Sequence, residues 1–201
     1  MLIVSPGCCG RNTSVLSSMR AYQDRFYYLL MDETDIVTGR HLKKIPKAVA
    51  EICEGLKKKP SVVMICITCV DALLGTDMER VCHKAEEYAG VPVRPCYMYA
   101  LTREGRKPPM VHVRQSVYSL LEPKKKKGNV VNLLGYFSPL TDDCELYDLL
   151  HSAGIKTIHE ISRCRDFEEY KTMAEANFNL VLHQESRYAA EDFNDRLKIP
   201  F

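Results

Sequence analysis

The run Ser61 to Thr68 (SVVMICIT) is almost continuously apolar and rich in β-branched residues, with Pro60 in front of it and a helix-spaced segment behind it. A strand that is polar on neither face must be covered on both, and that situation belongs to parallel sheets clothed by helices. A chain built around such a strand has to alternate strand and helix, because parallel neighbours need long crossover connections. This one does. Leu42, Ile45, Val49, Ile52 and Leu56 recur at three- and four-residue steps as one helical face, closed by Pro60. Asp77 to Ala89 returns to helical spacing through Met78, Val81, Cys82 and Ala85. Val91 to Tyr97, carrying Pro92 and Pro95, reads as an edge strand. Val111 to Leu121 reads as a further helix.

The stretch Glu122 to Asn129 (EPKKKKGN) cannot continue a packed element. It sets the expected organisation: a first α/β domain over 1–123, a linker over 124–128 and a second α/β domain over 129–201. The second half repeats the cycle, with strands at Val130 to Leu134, Ile155 to Ile161 and Asn179 to Leu182. Helices are expected over Asp142 to Ala153, Asp166 to Ala174 and Ser186 to Leu197. Three strand–helix units make half a doubly wound sheet, so more protein is expected after Phe201. The fold class is therefore α/β, with two Rossmann-like domains of mainly parallel strands flanked by helices.

Composition narrows the classes. With 46% apolar and 27% charged residues the chain can bury a sizeable core, and no window of about 18 residues is apolar enough to span a membrane. The opening MLIVSPGCCG has no basic flank or small-residue cleavage site and does not read as a signal peptide, so the expected location is the cytoplasm. Net charge is +2, but residues 1–127 hold 21 Lys/Arg against 13 Asp/Glu, whereas residues 128–201 hold 7 against 13. Such asymmetry suits two separately solvated domains, or a basic half that meets an acidic partner. Nucleic acid is not expected, because no aromatic-interleaved basic stripe is present.

Nine cysteines is an odd and high number, and without a secretory signal they argue against a disulfide framework. Two clusters stand out. Ser5 to Arg11 (SPGCCGR) sets Cys8 and Cys9 in a Gly-rich turn beside an arginine, a setting that favours thiolate. Cys66 and Cys69 bracket the end of the buried strand. Alternation puts Cys66 in the core and Cys69 just past the carboxyl edge, where open α/β sheets hold ligands. From spacing alone, metal binding, redox thiols and inert cysteines all remain open.

Pro60 to Asp77 (PSVVMICITCVDALLGTD) resembles the signature of the nitrogenase component 1 family: Lys-Pro, a buried strand, Thr-Cys, then Leu-Gly-x-Asp. Ser5 to Arg11 is similar to that family's Gly-Pro-x-Gly-Cys segment, with Cys9 at the cysteine and Cys8 in place of a glycine. Glu33 to Gly39, Asn129 to Gly154 and Asn179 to Phe201 resemble further segments in the same order. The family includes molybdenum-iron protein subunits, scaffolds that assemble their cofactor, and the dark-operative protochlorophyllide reductase. The resemblance implies a subunit truncated from three Rossmann-like domains and paired with a like subunit. It implies an iron–sulfur cluster between the subunits, with Cys9 and Cys69 at ligand positions, Cys8 as a spare ligand, and Gly75 letting the backbone turn close by. It also implies an ATP-dependent iron-protein-type reductase as electron donor, with assembly scaffolding as the alternative role. Asp24 to Met31 lacks the cysteine that family subunits carry there, so one [4Fe–4S] cluster shared by two chains is expected rather than an eight-iron cluster. His183 matches the histidine that faces the family's cofactor or substrate cavity and is the candidate catalytic group. His41, His151 and His159 are expected at the surface.

Overall fold

The computed structural model describes residues 2–5, 15, 18–19, 23–97 and 108–201. Its strands are parallel throughout, and the chain divides into two compact units, Met1–Ser116 and Val117–Phe201.

In the first unit β1 (Leu2–Ser5), β2 (Tyr27–Leu30), β3 (Val63–Ile67) and β4 (Val93–Tyr97) form one sheet in the order β2-β1-β3-β4. The strand expected from the buried run is therefore internal. The one with Pro95 is at an edge, where a missing N–H costs least. The helices are α1 (Glu33–Thr38), α2 (His41–Gly55), α3 (Cys69–Leu73), α4 (Met78–Ala89) and α5 (Pro109–Tyr118). Ile45, Val49 and Cys53 of α2 meet Met78, Cys82, Ala85 and Ala89 of α4 over Val63, Ile65 and Val93. Burial pushes the Cys82 thiol up to about 12, so this cysteine acts as a small apolar core residue. α4 is capped at both ends: the Asp77 carboxylate accepts from Arg80 N at 3.0 Å, and Gly90 closes the helix in the left-handed conformation.

In the second unit β5 (Val130–Leu134), β6 (Thr157–His159) and β7 (Phe178–Val181) form a sheet in the order β6-β5-β7. Its helices are α6 (Glu145–Ser152), α7 (Phe167–Lys171) and α8 (Arg187–Asp192), the last running on into a π turn, Phe193–Leu197. Phe193, Met173, Leu134 and Leu121 fill the core, with Tyr118 edge-on to Phe193 at 5.0 Å. Two asparagines cross that core in register. Asn132 Nδ2 donates to Asn179 Oδ1 at 2.8 Å and to Met173 O at 3.0 Å, while Asn179 Nδ2 donates to Ile199 O at 3.2 Å.

Some elements are shorter than their periodicity suggests. α6 starts at Glu145 instead of Asp142, because the Asp142 carboxylate is taken by Arg163 at 2.7 Å. β6 stops at His159 because the buried Glu160 turns away to accept from Leu140 N at 3.0 Å, from Arg163 Nε at 3.2 Å and from the Tyr147 hydroxyl. The lysine stretch lies against the second unit: Lys126 Nζ donates to Ala174 O at 2.7 Å, and Lys124 and Lys127 pair with Glu175. No helix among the described residues is long and apolar enough to cross a membrane.

Candidate functional site

β3 delivers the chain to the carboxyl edge of the first sheet, where Thr68 and the short helix α3 begin a tight turn. Ala72 N donates to Thr68 O at 3.4 Å, Leu74 N to Val70 O at 3.0 Å and Thr76 N to Asp71 O at 3.0 Å. Gly75 then takes φ +62°, and Asp77 starts α4. A Cβ on Gly75 would meet nothing within 4 Å, so the glycine answers to the left-handed backbone rather than to a close neighbour. On this turn Cys69 is partly exposed, while Leu73 and Leu74 are 74% and 50% exposed. Cys66 is buried within β3, level with Cys96 of β4, as strand alternation required. Burial pushes the Cys96 thiol up to about 11. Cys69, by contrast, is partly open to solvent at this edge of the sheet.

Behind the turn is a polar cluster that the sequence reading missed. His41, expected at the surface, is 1% exposed. Its Nδ1 is 3.0 Å from Asp35 O, and a carbonyl only accepts, so Nδ1 carries a hydrogen and donates. Its Nε2 faces Asp71 Oδ1 at 3.5 Å, with both side chains 1% exposed. That contact is long for a hydrogen bond, and His41 Nε2, both Asp71 carboxyl oxygens and Thr68 Oγ1 are buried with no hydrogen-bond partner. Burial raises the Asp71 carboxyl above the usual carboxylate range, an effect that His41 partly offsets. Asp35 is also buried, and Lys44 Nζ at 2.6 Å and Arg40 at 3.6 Å neutralise it. One signal could have exposed His41: it lies four residues before Ile45 and eight before Val49, on the buried stripe of α2. Asp71 gave no comparable signal, since its partner is thirty residues away.

Cys8 and Cys9 lie outside the described residues. The strand before them can be placed: Leu2 and Ile3 of β1 pair with Ile65 and Cys66, and continuing that register sets Ser5 level with Thr68. β1 thus ends at the same edge of the sheet, one strand away from the Cys69 turn. Among the described residues no three His, Cys, Asp or Glu side chains converge as a metal site, and none of the seven described cysteines forms a disulfide. Cys69 fits as one thiolate donor of an iron–sulfur cluster, and a full set needs donors beyond those described.

His183 belongs to the second unit, directly after β7. The chain leaves β5, adds β6 on one side and returns for β7 on the other, so the carboxyl ends of β5 and β7 form the switch point where ligands of open sheets bind. Tyr136 follows β5, and its ring lies 4.7 Å from that of His183. Glu185 N donates to His183 Nδ1 at 3.3 Å, which leaves Nε2–H as the outward donor of the neutral ring. Ser186 Oγ donates to Gly135 O at 3.0 Å and ties the two strand ends together. Cys69 and Gly75 therefore share one turn, and His183 occupies the corresponding edge of the other sheet. His159, also expected at the surface, is half-buried, and burial lowers its pKa.

A family model described as nitrogenase component 1 type oxidoreductase matches residues 1–201. The nitrogenase iron-molybdenum cofactor biosynthesis protein NifE of Nostoc sp. is 29% identical over 155 residues, covering 76% of this chain and 32% of that protein. The NifE of Rhodobacter capsulatus is 27% identical across 100% of this chain and 43% of its own length. The nitrogenase molybdenum-iron protein alpha chain of Methanosarcina barkeri is 24% identical, covering 85% of this chain and 32% of its own. Among solved structures, nitrogenase Cp1 at pH 6.5 superposes with a TM-score of 0.70 at 21% identity, over 99% of this chain and 41% of that one. The chain thus spans well under half the length of these relatives.

Proposed function

The chain belongs to the nitrogenase component 1 type oxidoreductase family, and we propose that it holds an iron–sulfur cluster through Cys69 and Cys9, with Cys8 beside them, at an interface with a like subunit. The observation that carries this reading is the partly exposed Cys69, on a short helical turn at the carboxyl edge of a parallel sheet whose neighbouring strand precedes Cys8 and Cys9 in the chain. Such a cluster would supply one-electron redox chemistry and labile sulfide. The protein's part is to present the thiolates on a fixed turn and to shelter that turn with buried groups. Two cysteines from each of two chains would complete one [4Fe–4S] cluster across a two-fold axis.

Of the two uses for such a cluster, assembly of a metallo-cofactor is favoured by the relatives whose names are those of cofactor biosynthesis proteins. Receipt of electrons from an ATP-dependent reductase of the iron-protein type is the second reading. It is favoured by the His183–Tyr136 edge, where Nε2–H can donate to a bound anion or substrate.

The test is anaerobic. Iron and acid-labile sulfide are measured on the reconstituted chain and on Cys69→Ala and Cys9→Ala. About two irons per chain, lost in either variant, is the expected result for one shared [4Fe–4S] cluster. No iron above background in the parent chain refutes the reading. Cluster transfer to a metal-free acceptor, as opposed to ATP-dependent reduction of the cluster, separates the two uses.

A further inference from the structure

We infer that His41 and Asp71 are a positioning pair for Cys69, fixing the turn that presents its thiol. The inference deepens the reading of Cys69 as a cluster ligand and rests on it for its chemical purpose.

Along α3, from Cys69 to Leu73, Asp71 is the single buried residue. Leu73 and Leu74, which would anchor an ordinary turn by packing, are exposed instead. Val70 and Ala72 are half-buried, so no apolar side chain of the turn is fully packed away. What reaches inward from it is a carboxylate, two residues from the thiol, facing a fully buried imidazole. The imidazole is itself fixed. It sits in the first turn of α2, and its Nδ1 donates to the carbonyl of Asp35 in α1. The Asp35 carboxylate is in turn held by Lys44 and Arg40. A continuous polar path thus links α1, α2 and the Cys69 turn.

A pair of this kind is a poor device for stability alone. Removing a histidine and a carboxylate from water costs more than packing two apolar side chains of similar volume. Its advantage is direction: a ring held at one nitrogen offers the other along a single line, and Asp71 must meet it there. Outer groups that orient a ligand in this way commonly set how well a metal is held.

The test uses the metal-free full chain under anaerobic conditions. Alkylation at Cys69 by iodoacetamide is followed by peptide mass mapping, with the buried Cys53 of the same unit's core as internal standard. Two near-isosteric variants are compared. Asp71→Asn keeps a polar group facing Nε2, whereas Asp71→Leu keeps the branched shape without any polar contact to it. The Cys69 to Cys53 rate ratio is expected to rise about tenfold in Asp71→Leu, as for a turn that loses a buried polar tie and opens more often, and to stay within about twofold of the parent in Asp71→Asn. A general loss of stability of the first unit would expose Cys53 at least as much as Cys69 and would not raise the ratio. If Asp71→Leu does not fold, His41→Phe, which keeps a ring but removes the nitrogen that faces Asp71, is read in the same way, with the same expected rise. A ratio that stays at the parental value in the folded variants overturns the positioning role. Iron retention is scored separately: full iron in Cys69→Ala would refute the ligand reading without altering the alkylation result. An unchanged ratio would refute the positioning role while Cys69 could still bind iron.

Discussion

Replacing Gly75 by alanine isolates the backbone cost of the Cys69 turn. The residue sits at φ +62°, and a Cβ built there meets no atom within 4 Å, so no clash accompanies the change. What remains is the intrinsic penalty of an L-residue in the left-handed region, about 1–2 kcal/mol for alanine and less for asparagine, whose side chain tolerates that conformation. For a unit of this size each kcal/mol corresponds to a loss of roughly 3–5 °C in Tm. Gly75→Ala should therefore lower the first transition by a few degrees, Gly75→Asn by about half as much and Gly75→Val by more. Circular dichroism is the suitable probe, because the chain has no tryptophan and its two units can unfold in separate steps. Identical losses for alanine and asparagine, well above about 2 kcal/mol, would mean that something does occupy the space beside Gly75. No loss at all would mean that the turn leaves the left-handed region in solution. Either result would refute the reasoning.

Two further outcomes are expected in the second unit. Asn132→Ala removes the donor to both Asn179 and Met173; Met173 O still accepts from Ala176 N at 3.3 Å, so one buried acceptor, Asn179 Oδ1, is left unpaired. Urea unfolding should show a destabilisation of roughly 1–3 kcal/mol, and a change below about 0.5 kcal/mol would count against that pairing. Burial lowers the pKa of His159 below 6.5. Above pH 6.5 the ring is neutral in both folded and unfolded chain, so the penalty is absent there. As the pH falls below 6.5 the unfolded chain takes up the proton first and stability is lost, a trend that His159→Gln should flatten in thermal melts recorded between pH 7.5 and about pH 5.

Local patterns were legible in the chain itself. The β-branched run of β3, the helical spacing of α2 and α4, the Pro-bearing edge strand β4 and Asp77 at the start of α4 follow from interactions within a few residues. Such signals survive in one dimension. The family signature was legible for a related reason, since Thr-Cys and Gly-x-Asp lie within one turn. Element ends were less legible, because tertiary partners decided them. Asp142 left α6 for Arg163, and Glu160 left β6 to collect Leu140, Tyr147 and Arg163. The pairing of His41 with Asp71 depended on the tertiary structure altogether. Thirty residues separate the two, and only the packing of α2 beside the carboxyl edge of β3 brings an imidazole and a carboxylate together out of bulk solvent. Sequence alone determined which elements form and where a thiol ends a strand. The tertiary structure decided what lies behind that thiol, because burial and partnership are properties of neighbours in space.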